Sequence, residues 1–587
     1  MNRTAIFDIE TDGLLDECTK IHSLVIYDYE YKKIKSFADQ DGYHSINEGL
    51  GLLSTYDRIV GHNIICFDLP VIAKLKPDAY GLLETCEVFD TLNAARLVWT
   101  NLSDLDHGDT RIPKELKGSH SLKAYGYRVG MHKDSFGEDT DWKHWSKEMQ
   151  RYCEKDVVVS KKLYDRILKE DFSQTSFDLE MDFQKFIHIQ ERNGVHFDKD
   201  KAKEMLKTID VELSKIDAHI SAIIPPTIKP MKRVPDKVVP FNANSTTQMV
   251  KFFQEKYKWK HKKVTKTNRP AMDEEVLSGL IYPEAELFLK RKQVKNIEAK
   301  LQSGDKSWLN FLTVEGKIHG RVNTNGAVTG RCCHAAPNLS QVTSARKYMG
   351  KEARSLFIAP PGFKMVGCDA SGLELRMLAH YLAAYDDGEY TKIVVDGDVH
   401  TANQVAAGLS TRDDAKRFIY AHNYGAGDEL LGKLILPDCD DEWELKRMGA
   451  DIRSKFKNNI KGLGTLIEMV QLAVKMRGYL RGLDGRKLLV RSKHRALNTL
   501  LQGAGAVVMK KAAVIFWDYC KSNGWDKQGV VPCLNVHDEF QFYVPEDIAD
   551  LVGAEMPKAI IQAGIDFNLK CPLDGEYKVG NNWMQTH

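Results

Sequence analysis

The sequence predicts a multidomain α/β chain with two separate acidic centres, and three observations predict it. Two apolar, strand-like runs (MVGC and PCLNV) lead into carboxylates, in CDASGLELR at 368–376 and VHDEF at 536–540. Two such strands can bring Asp369 and Asp538 to one edge of a sheet. Between them, RDDAKRFIYAHNYG at 412–425 sets Arg412, Lys416 and Tyr420 at successive i, i+4 steps, on one helix face. At the N-terminus, AIFDIET carries Asp8 and Glu10 two residues apart, hence on one face of a short strand.

The 587 residues allow three or four domains at roughly 150 residues each, and 43% hydrophobic residues supply full cores. The net charge of +2 gives little overall attraction to a polyanion, but the charge is uneven. Basic runs stand at KHKK (260–263) and KRKQVK (290–295), while the early segments are acid-rich. That balance suits a chain that handles a polyanion and also holds cations with carboxylates. Eleven cysteines include no CxxC pair, which fits reduced thiols. No basic-then-apolar leader precedes AIFDIET, and no apolar run approaches the roughly 20 residues that span a bilayer. The expectation is a protein of the cytoplasm with no membrane partner.

After the first strand, IVGHNIICFDLPVI places Asp68 near the end of an apolar segment, and the helical EMQRYCEKDVVVSKKLY puts Tyr152 and Asp156 on one face. The succession DxE, NxxxxD, YxxxD resembles the DnaQ-like 3′–5′ exonucleases, whose fold is RNase H-like. The resemblance implies that Asp8, Glu10, Asp68 and Asp156 hold two divalent ions roughly 3.5–4 Å apart. Tyr152 would orient the attacking water or the scissile phosphate, and His62 and Asn63 would shape the site. Asp90, in VFDTL, reads equally as a supporting acid or as a strand-end residue.

Residues 170–200 read as a link, with Asp198 placed to cap a long helix, KDKAKEMLKTIDVELSKIDAHI. The proline- and lysine-rich 224–245 segment predicts an exposed loop that resists helix and sheet. A basic helix follows near 284–300, and then TGR (with Arg331) and PNLSQ (with Gln341) precede CDASGLELR. Taken in order with the helix at 412–425 and VHDEF, these strings resemble motifs A, B and C of the family A DNA polymerases. The wording DASGLELR and FIYAHNYGAG is most similar to the replicative enzymes of short-tailed (podovirus) bacteriophages.

The resemblance implies a nuclease domain over 1–172, a linker and thumb over 173–315, a palm over 316–395 and 482–587, and fingers over 396–481. It implies two Mg²⁺ at each centre, with Mn²⁺ as a substitute, held at the polymerase centre by Asp369, Ala370 and Asp538. Glu539 would be an auxiliary acid, and Glu374 would close the space that a ribose 2′-hydroxyl needs. Arg412, Lys416 and His400 would bind the triphosphate, Tyr420 would stack on the incoming nucleotide, and Tyr424 would pack near the templating pair. Thr411 or a neighbour would cap that helix, with Asp413 and Asp414 in its first turn. Arg331, Gln341, Gln502, His494 and His537 would contact primer–template DNA, and Lys290, Arg291, Lys292 and Lys295 would grip its phosphates. The expected partners are primer–template DNA and dNTPs, with a phage helicase–primase and a single-stranded DNA-binding protein. The 224–245 loop is too short for the thioredoxin-binding insertion of the best-studied phage relatives. The C-terminal NNWMQTH is expected close to the palm.

Overall fold

The computed structural model describes residues 3–131, 140–229, 237–261, 263–265, 267–423, 425–437, 439 and 441–587. Near the N-terminus lies a five-stranded sheet of β1 (Thr4–Thr11), β2 (Ile21–Asp28), β3 (Lys33–Phe37), β4 (Arg58–Gly61) and β5 (Glu87–Asp90). Its order is β3-β2-β1-β4-β5, with β1 antiparallel to β2 and parallel to β4. Strand alternation splits the apolar residues between two cores: Phe7 and Ile9 face one side, Ile6 the other. Asp8 and Glu10 share the Ile6 side. Helix α1 (Lys147–Ile167) covers that side with Cys153, Val157 and Tyr164.

Helix α2 (Gln174–Asn193) belongs to two cores at once. Phe177 and Met181 pack into the N-terminal unit, while Leu179, Phe183, Phe186 and Ile187 pack into the core of the C-terminal half. Helix α3 (Lys199–Ile223) begins at Asp198, whose side chain accepts a hydrogen bond from the Lys201 amide at 2.9 Å as its sequence predicts. It packs against α4 (Pro283–Glu298).

Between α3 and α4 the 224–245 segment departs from the expected loop. Thr227–Lys229 and Lys237–Val239 pair as an antiparallel ribbon, Thr227 opposite Val239. The β-branched residues between the prolines supply the strand preference.

The C-terminal half is organised on a second sheet of β6 (Phe363–Ala370), β7 (Val531–Val536), β8 (Glu539–Pro545) and β9 (Gly575–Gly580), in the order β7-β8-β6-β9. Helix α5 (Leu373–Asp386) leaves the end of β6. The helices α6 (Val399–Ala407), α7 (Arg412–Asn423), α8 (Asp428–Ile435), α9 (Glu442–Asn459) and α10 (Leu463–Arg477) form a layer between β6 and β7 in the chain. Then α11 (Ala496–Ser522) and α12 (Ala549–Asp566) pack on each other, and Phe516 of α11 lies 4.9 Å, ring to ring, from Phe542 of β8.

One expectation is corrected here. The stretch Lys493–Ser522 is long and apolar enough to cross a membrane, and 72% of its apolar window is buried inside the protein. Lys510, Lys511 and scattered polar residues interrupt it in the sequence, so no unbroken apolar run is visible. Its apolar character comes from being the central core helix.

Helices α8 and α9 cross at backbone contact. A Cβ on Gly432 would lie 2.0 Å from the Leu445 carbonyl oxygen, and one on Gly449 would lie 1.9 Å from that of Asp428. Only glycine permits this approach. Gly449→Ala must push the pair apart, and overpacking of this kind costs about 1–3 kcal/mol. A thermal melt should show a lowered transition for the C-terminal half, and an unchanged melt would show that the crossing can open freely.

Candidate active sites

In the N-terminal unit, β1 places Asp8 and Glu10 side by side beneath α1. Asp68 opens the helix Asp68–Leu75, and its Oδ1 accepts from the Ile9 amide at 3.2 Å, between the two β1 acids. Asp156 and Tyr152 descend from α1, where Tyr152 makes an edge contact with Trp142 at 6.2 Å. The Cys153 Sγ donates to the Asp8 carbonyl at 3.4 Å and lies 3.7 Å from Asp8 Oδ2.

Burial, then Asp8, Glu10, Asp156 and Asp68 in turn, push the Cys153 thiol well above its usual pKa, so all four acids lie within electrostatic reach of this thiol. Burial pushes the Asp68 carboxyl up to about 7. Ligand atoms of Asp8, Glu10 and Cys153 lie within 4.8 Å of one another. Neighbouring carboxylates, Asp68 and Asp156 buried and Asp8 and Glu10 half-buried, are costly unless a cation joins them, and hard divalent ions take such oxygen donors. The donor set therefore fits a divalent metal.

Asp90 resolves to a structural part. It is fully buried, accepts from the amides of Asn63, Ile65 and Leu92 at 2.9–3.1 Å, and caps the helix Thr91–Val98. His62 hydrogen-bonds Thr91 at 2.9 Å, and Asn63 adopts a left-handed φ of 68°, so both shape the turn ahead of Asp68. Cys153 is the member that sequence reasoning passed over. Its spacing of three from Asp156 on α1 was the available signal.

The second centre forms where β6 meets the β7–β8 hairpin. Residue pairing sets Asp369 directly opposite Glu539, and the Ala370 amide donates to the Asp538 carbonyl at 3.1 Å. Asp538 sits on the two-residue hairpin turn rather than in a strand, after His537 with φ 55°. Burial and Glu374 push the Asp538 carboxyl up to about 7, with Arg331 pulling the other way. Asp369 is open to the cleft on one side. Loss of water on the other, and Glu539, raise it to about 6. These two carboxylates and their raised affinity for a positive partner fit divalent cations as the first centre does.

Arg331 binds Glu374 at 3.3 Å and approaches Asp538 to 4.0 Å. Glu539 is gripped from the far side. The Trp583 indole donates to Oε1 at 2.7 Å, His587 Nδ1 lies 2.6 Å from Oε2, and Arg354 stands 3.8 Å away and stacks over Trp583 at 4.3 Å. NNWMQTH thus meets the sheet as expected, but the roles of Trp583, His587 and Arg354 carry no local sequence signal. A cleft of about 350 Å³ opens between Arg331, Asp369, Asp538 and His587.

Helix α7 is capped by Thr411, which exchanges hydrogen bonds with Asp414, and Asp413 also lies in its first turn. Arg412 is held bidentately by Asp398 (2.8 and 3.2 Å), the N-cap of α6, which carries His400. Burial lowers the His400 pKa, and so do the nearby Arg412 and Lys416, so these three cationic or potentially cationic groups converge. Tyr420 lies 6.3 Å, ring to ring, from His400. Burial raises its hydroxyl pKa, with Glu374 the next cause, which brings α7 and α5 together. Tyr424 lies outside the described residues.

Gln502 is half-buried on α11, His494 is exposed in the turn before it, and the exposed Gln341 lends its carbonyl to Lys300 at 2.7 Å. The basic residues of α4 are engaged within their own unit. Lys290 pairs with Glu212 at 2.5 Å, Lys292 donates to the Met272 carbonyl at 2.6 Å, and Lys295 pairs with Glu298 at 3.2 Å. Arg291 is corrected outright. It is buried and bound to Asp217 (2.5 Å) and Asn244 (2.7 Å), because it joins α4 to α3, and it presents no free cation to a phosphate.

Two carboxylate centres on unrelated sheets, the second faced by the helix that sets Arg412, Lys416 and Tyr420 on one side, define a class: a metal-dependent nucleotidyltransferase joined to a nuclease. The family model for DNA polymerase family A matches residues 201–585, and that for the RNase H superfamily matches residues 5–168. The DNA-directed DNA polymerases of Escherichia phage T7 and Enterobacteria phage T3 are each 31% identical over 99% of this chain and 100% of theirs. DNA polymerase I of Aquifex aeolicus is 24% identical over 90% of this chain and 88% of its own. A solved polymerase domain of Pol1 from M. smegmatis, in complex with DNA primer-template and dNTP, shares the fold with a TM-score of 0.74. It is 17% identical and covers 99% of this chain and 96% of its own. The chain belongs to DNA polymerase family A, with an RNase H-like unit ahead of the polymerase fold.

Two variants separate the centres. Asp538→Asn should cut primer extension by about a thousandfold or more while a gel-shift assay shows DNA binding retained. Asp8→Ala with Glu10→Ala should abolish degradation of a labelled single strand while extension persists. Loss of both activities in either variant would show that the centres are not independent.

Proposed function

We propose that this chain copies a DNA template from dNTPs at the Asp369–Asp538 centre and removes mispaired 3′ ends at the Asp8–Asp156 centre, as a replicative polymerase of a phage acting in the cytoplasm of its bacterial host. The observation that carries the reading is the convergence of Asp369, Asp538, Glu374 and Arg331 below a helix that presents Arg412, Lys416 and Tyr420.

Two Mg²⁺ (or Mn²⁺) would be held by Asp369, Asp538 and the Ala370 carbonyl, and two by Asp8, Glu10, Asp68 and Asp156. Such ions, when bound, acidify the attacking hydroxyl or water and neutralise the leaving oxygen. Glu539, oriented by Trp583 and His587, adds negative charge beside them. Arg412 and Lys416 set positive charge where the triphosphate lies, with the His400 ring beside them to hydrogen-bond it, which requires Arg412 to leave or share Asp398. Tyr420 stacks on the incoming nucleotide, and Glu374 fills the space of a 2′-hydroxyl. Arg331, Gln502, His494, His537 and Gln341 border the primer–template path, and Tyr152 orients the nuclease water.

The proposed partition is nuclease 1–172, linker and thumb 173–315, palm 316–395 with 482–587, and fingers 396–481. A helicase–primase and a single-stranded DNA-binding protein are the proposed partners, while the shortness of the 224–245 segment argues against a thioredoxin clamp.

Primer extension on a long template with Mg²⁺ and dNTPs, under a DNA trap, tests this reading. Template-dependent products whose length is unchanged by thioredoxin are expected, and failure to extend would overturn it. Glu374→Ala should raise ribonucleotide incorporation about 10–100-fold relative to dNTP use. Unchanged sugar discrimination would remove Glu374 from that role.

A further inference from the structure

Behind the polymerase carboxylates lies a quartet of buried charges: Glu180 from α2, Lys510 from α11, and Asp484 with Arg486 from the hairpin before α11. Their side chains are 0–3% exposed. Arg486 binds Asp484 bidentately and reaches Glu180 at 2.7 Å, and Lys510 reaches the same Glu180 oxygen at 2.5 Å. Both cations also donate to Asn325 Oδ1, at 3.1 and 3.4 Å. The quartet is neutral as a whole, so removing one member leaves an uncompensated charge in the core.

Its placement gives it a use beyond cohesion. The turn Ala327–Arg331 closes through two backbone hydrogen bonds, and Gly330 (φ 76°) rests on the Arg486 guanidinium. A Cβ at that position would lie 2.5 Å from Arg486 Nη1. The next residue is Arg331, which binds Glu374 and approaches Asp538. A continuous chain of contacts therefore runs from Glu180 through Arg486 to the turn and on to the reacting centre. A small cavity of about 40 Å³ is bordered by Phe183, Arg331 and Lys510, and α11 also backs the turn, where a Cβ on Gly503 would lie 3.3 Å from the Thr329 carbonyl oxygen. Glu180 also lies one residue from Met181, which is packed in the nuclease core.

We propose that Glu180 is a positioning residue for nucleotidyl transfer: through Arg486 and Lys510 it fixes the Ala327–Arg331 turn, and so sets how firmly Arg331 holds the primer end at the polymerase centre against its release to the nuclease. The proposal rests on the polymerase and proofreading reading above. Glu180 touches no substrate, and its effect passes through Arg331.

The test compares wild type, Glu180→Gln, Glu180→Asp, Arg331→Ala and the Glu180→Gln/Arg331→Ala double variant in the full chain. Steady-state kcat and KM for one dNTP on a primer–template are measured beside degradation of a single-stranded oligonucleotide by the same preparation. Glu180→Gln is expected to lower kcat about tenfold, to leave dNTP KM and single-strand degradation unchanged, and to raise degradation of the annealed primer relative to extension. Glu180→Asp should recover part of the loss, and Glu180→Gln should add little once Arg331 is gone.

Parallel loss of both activities with a lowered melting temperature would overturn the proposal in favour of simple cohesion. So would a Glu180→Gln effect that persists in full beside Arg331→Ala, or unchanged kcat. Failure of the wild type to extend at all would instead defeat the polymerase reading itself.

Discussion

The structure turns on one constraint, the cross-strand pairing that sets Asp369 opposite Glu539 with Asp538 on the adjoining turn. Three carboxylates on one sheet edge repel and are partly stripped of water, so the surrounding fold has to supply positive charge and hydrogen-bond donors. It does so from distant parts of the chain: Arg331 approaches Asp538, while Arg354, Trp583 and His587 hold Glu539. What is left uncompensated faces the cleft, where a divalent cation and a polyanionic substrate would complete the balance. The four-stranded sheet fixes the acids in place, because Val366 on one face and Met365 on the other are buried in separate cores.

Helix α2 extends that constraint to the whole chain. Phe177 and Met181 are part of the nuclease core and Phe183 and Phe186 part of the polymerase core, so the two units share a rigid element rather than a loose tether. Surface pairs such as Arg481 with Asp171 at 2.7 Å lie along the same junction but contribute little by themselves. The shared helix is what makes Glu180 available to the turn that bears Arg331.

The cation-rich elements behave less simply than their composition implies. In α4 the positive side chains are spent on internal acids and carbonyls, and Arg291 has become a buried link to Asp217 and Asn244. In α7, Arg412 is held by Asp398 on the neighbouring helix, an exposed pair that substrate phosphates can compete for, whereas Lys416 stands half-buried close to His400. A basic stretch in a sequence thus supplies charge, and its neighbours in space decide whether that charge is offered to a ligand.

Much of this was legible in the residues alone. Asp8 and Glu10 on one strand face, Tyr152 and Asp156 on one helix face, and Arg412, Lys416 and Tyr420 along another follow from strand and helix periodicity, which is local and survives in any context. The N-caps at Asp198 and Thr411 were legible for the same reason. Tertiary structure decided everything that depends on residues far apart in the chain: that Asp90 anchors a turn, that Cys153 sits among the nuclease acids, that Trp583 and His587 grip Glu539 across more than forty positions, and that Arg291 is buried. It also decided that the long apolar helix ending at Ser522 is core and that the proline-rich segment pairs as a ribbon. Periodicity fixes which side chains share a face. Only packing determines what that face meets, because burial and charge compensation are properties of the assembled fold and not of any one segment.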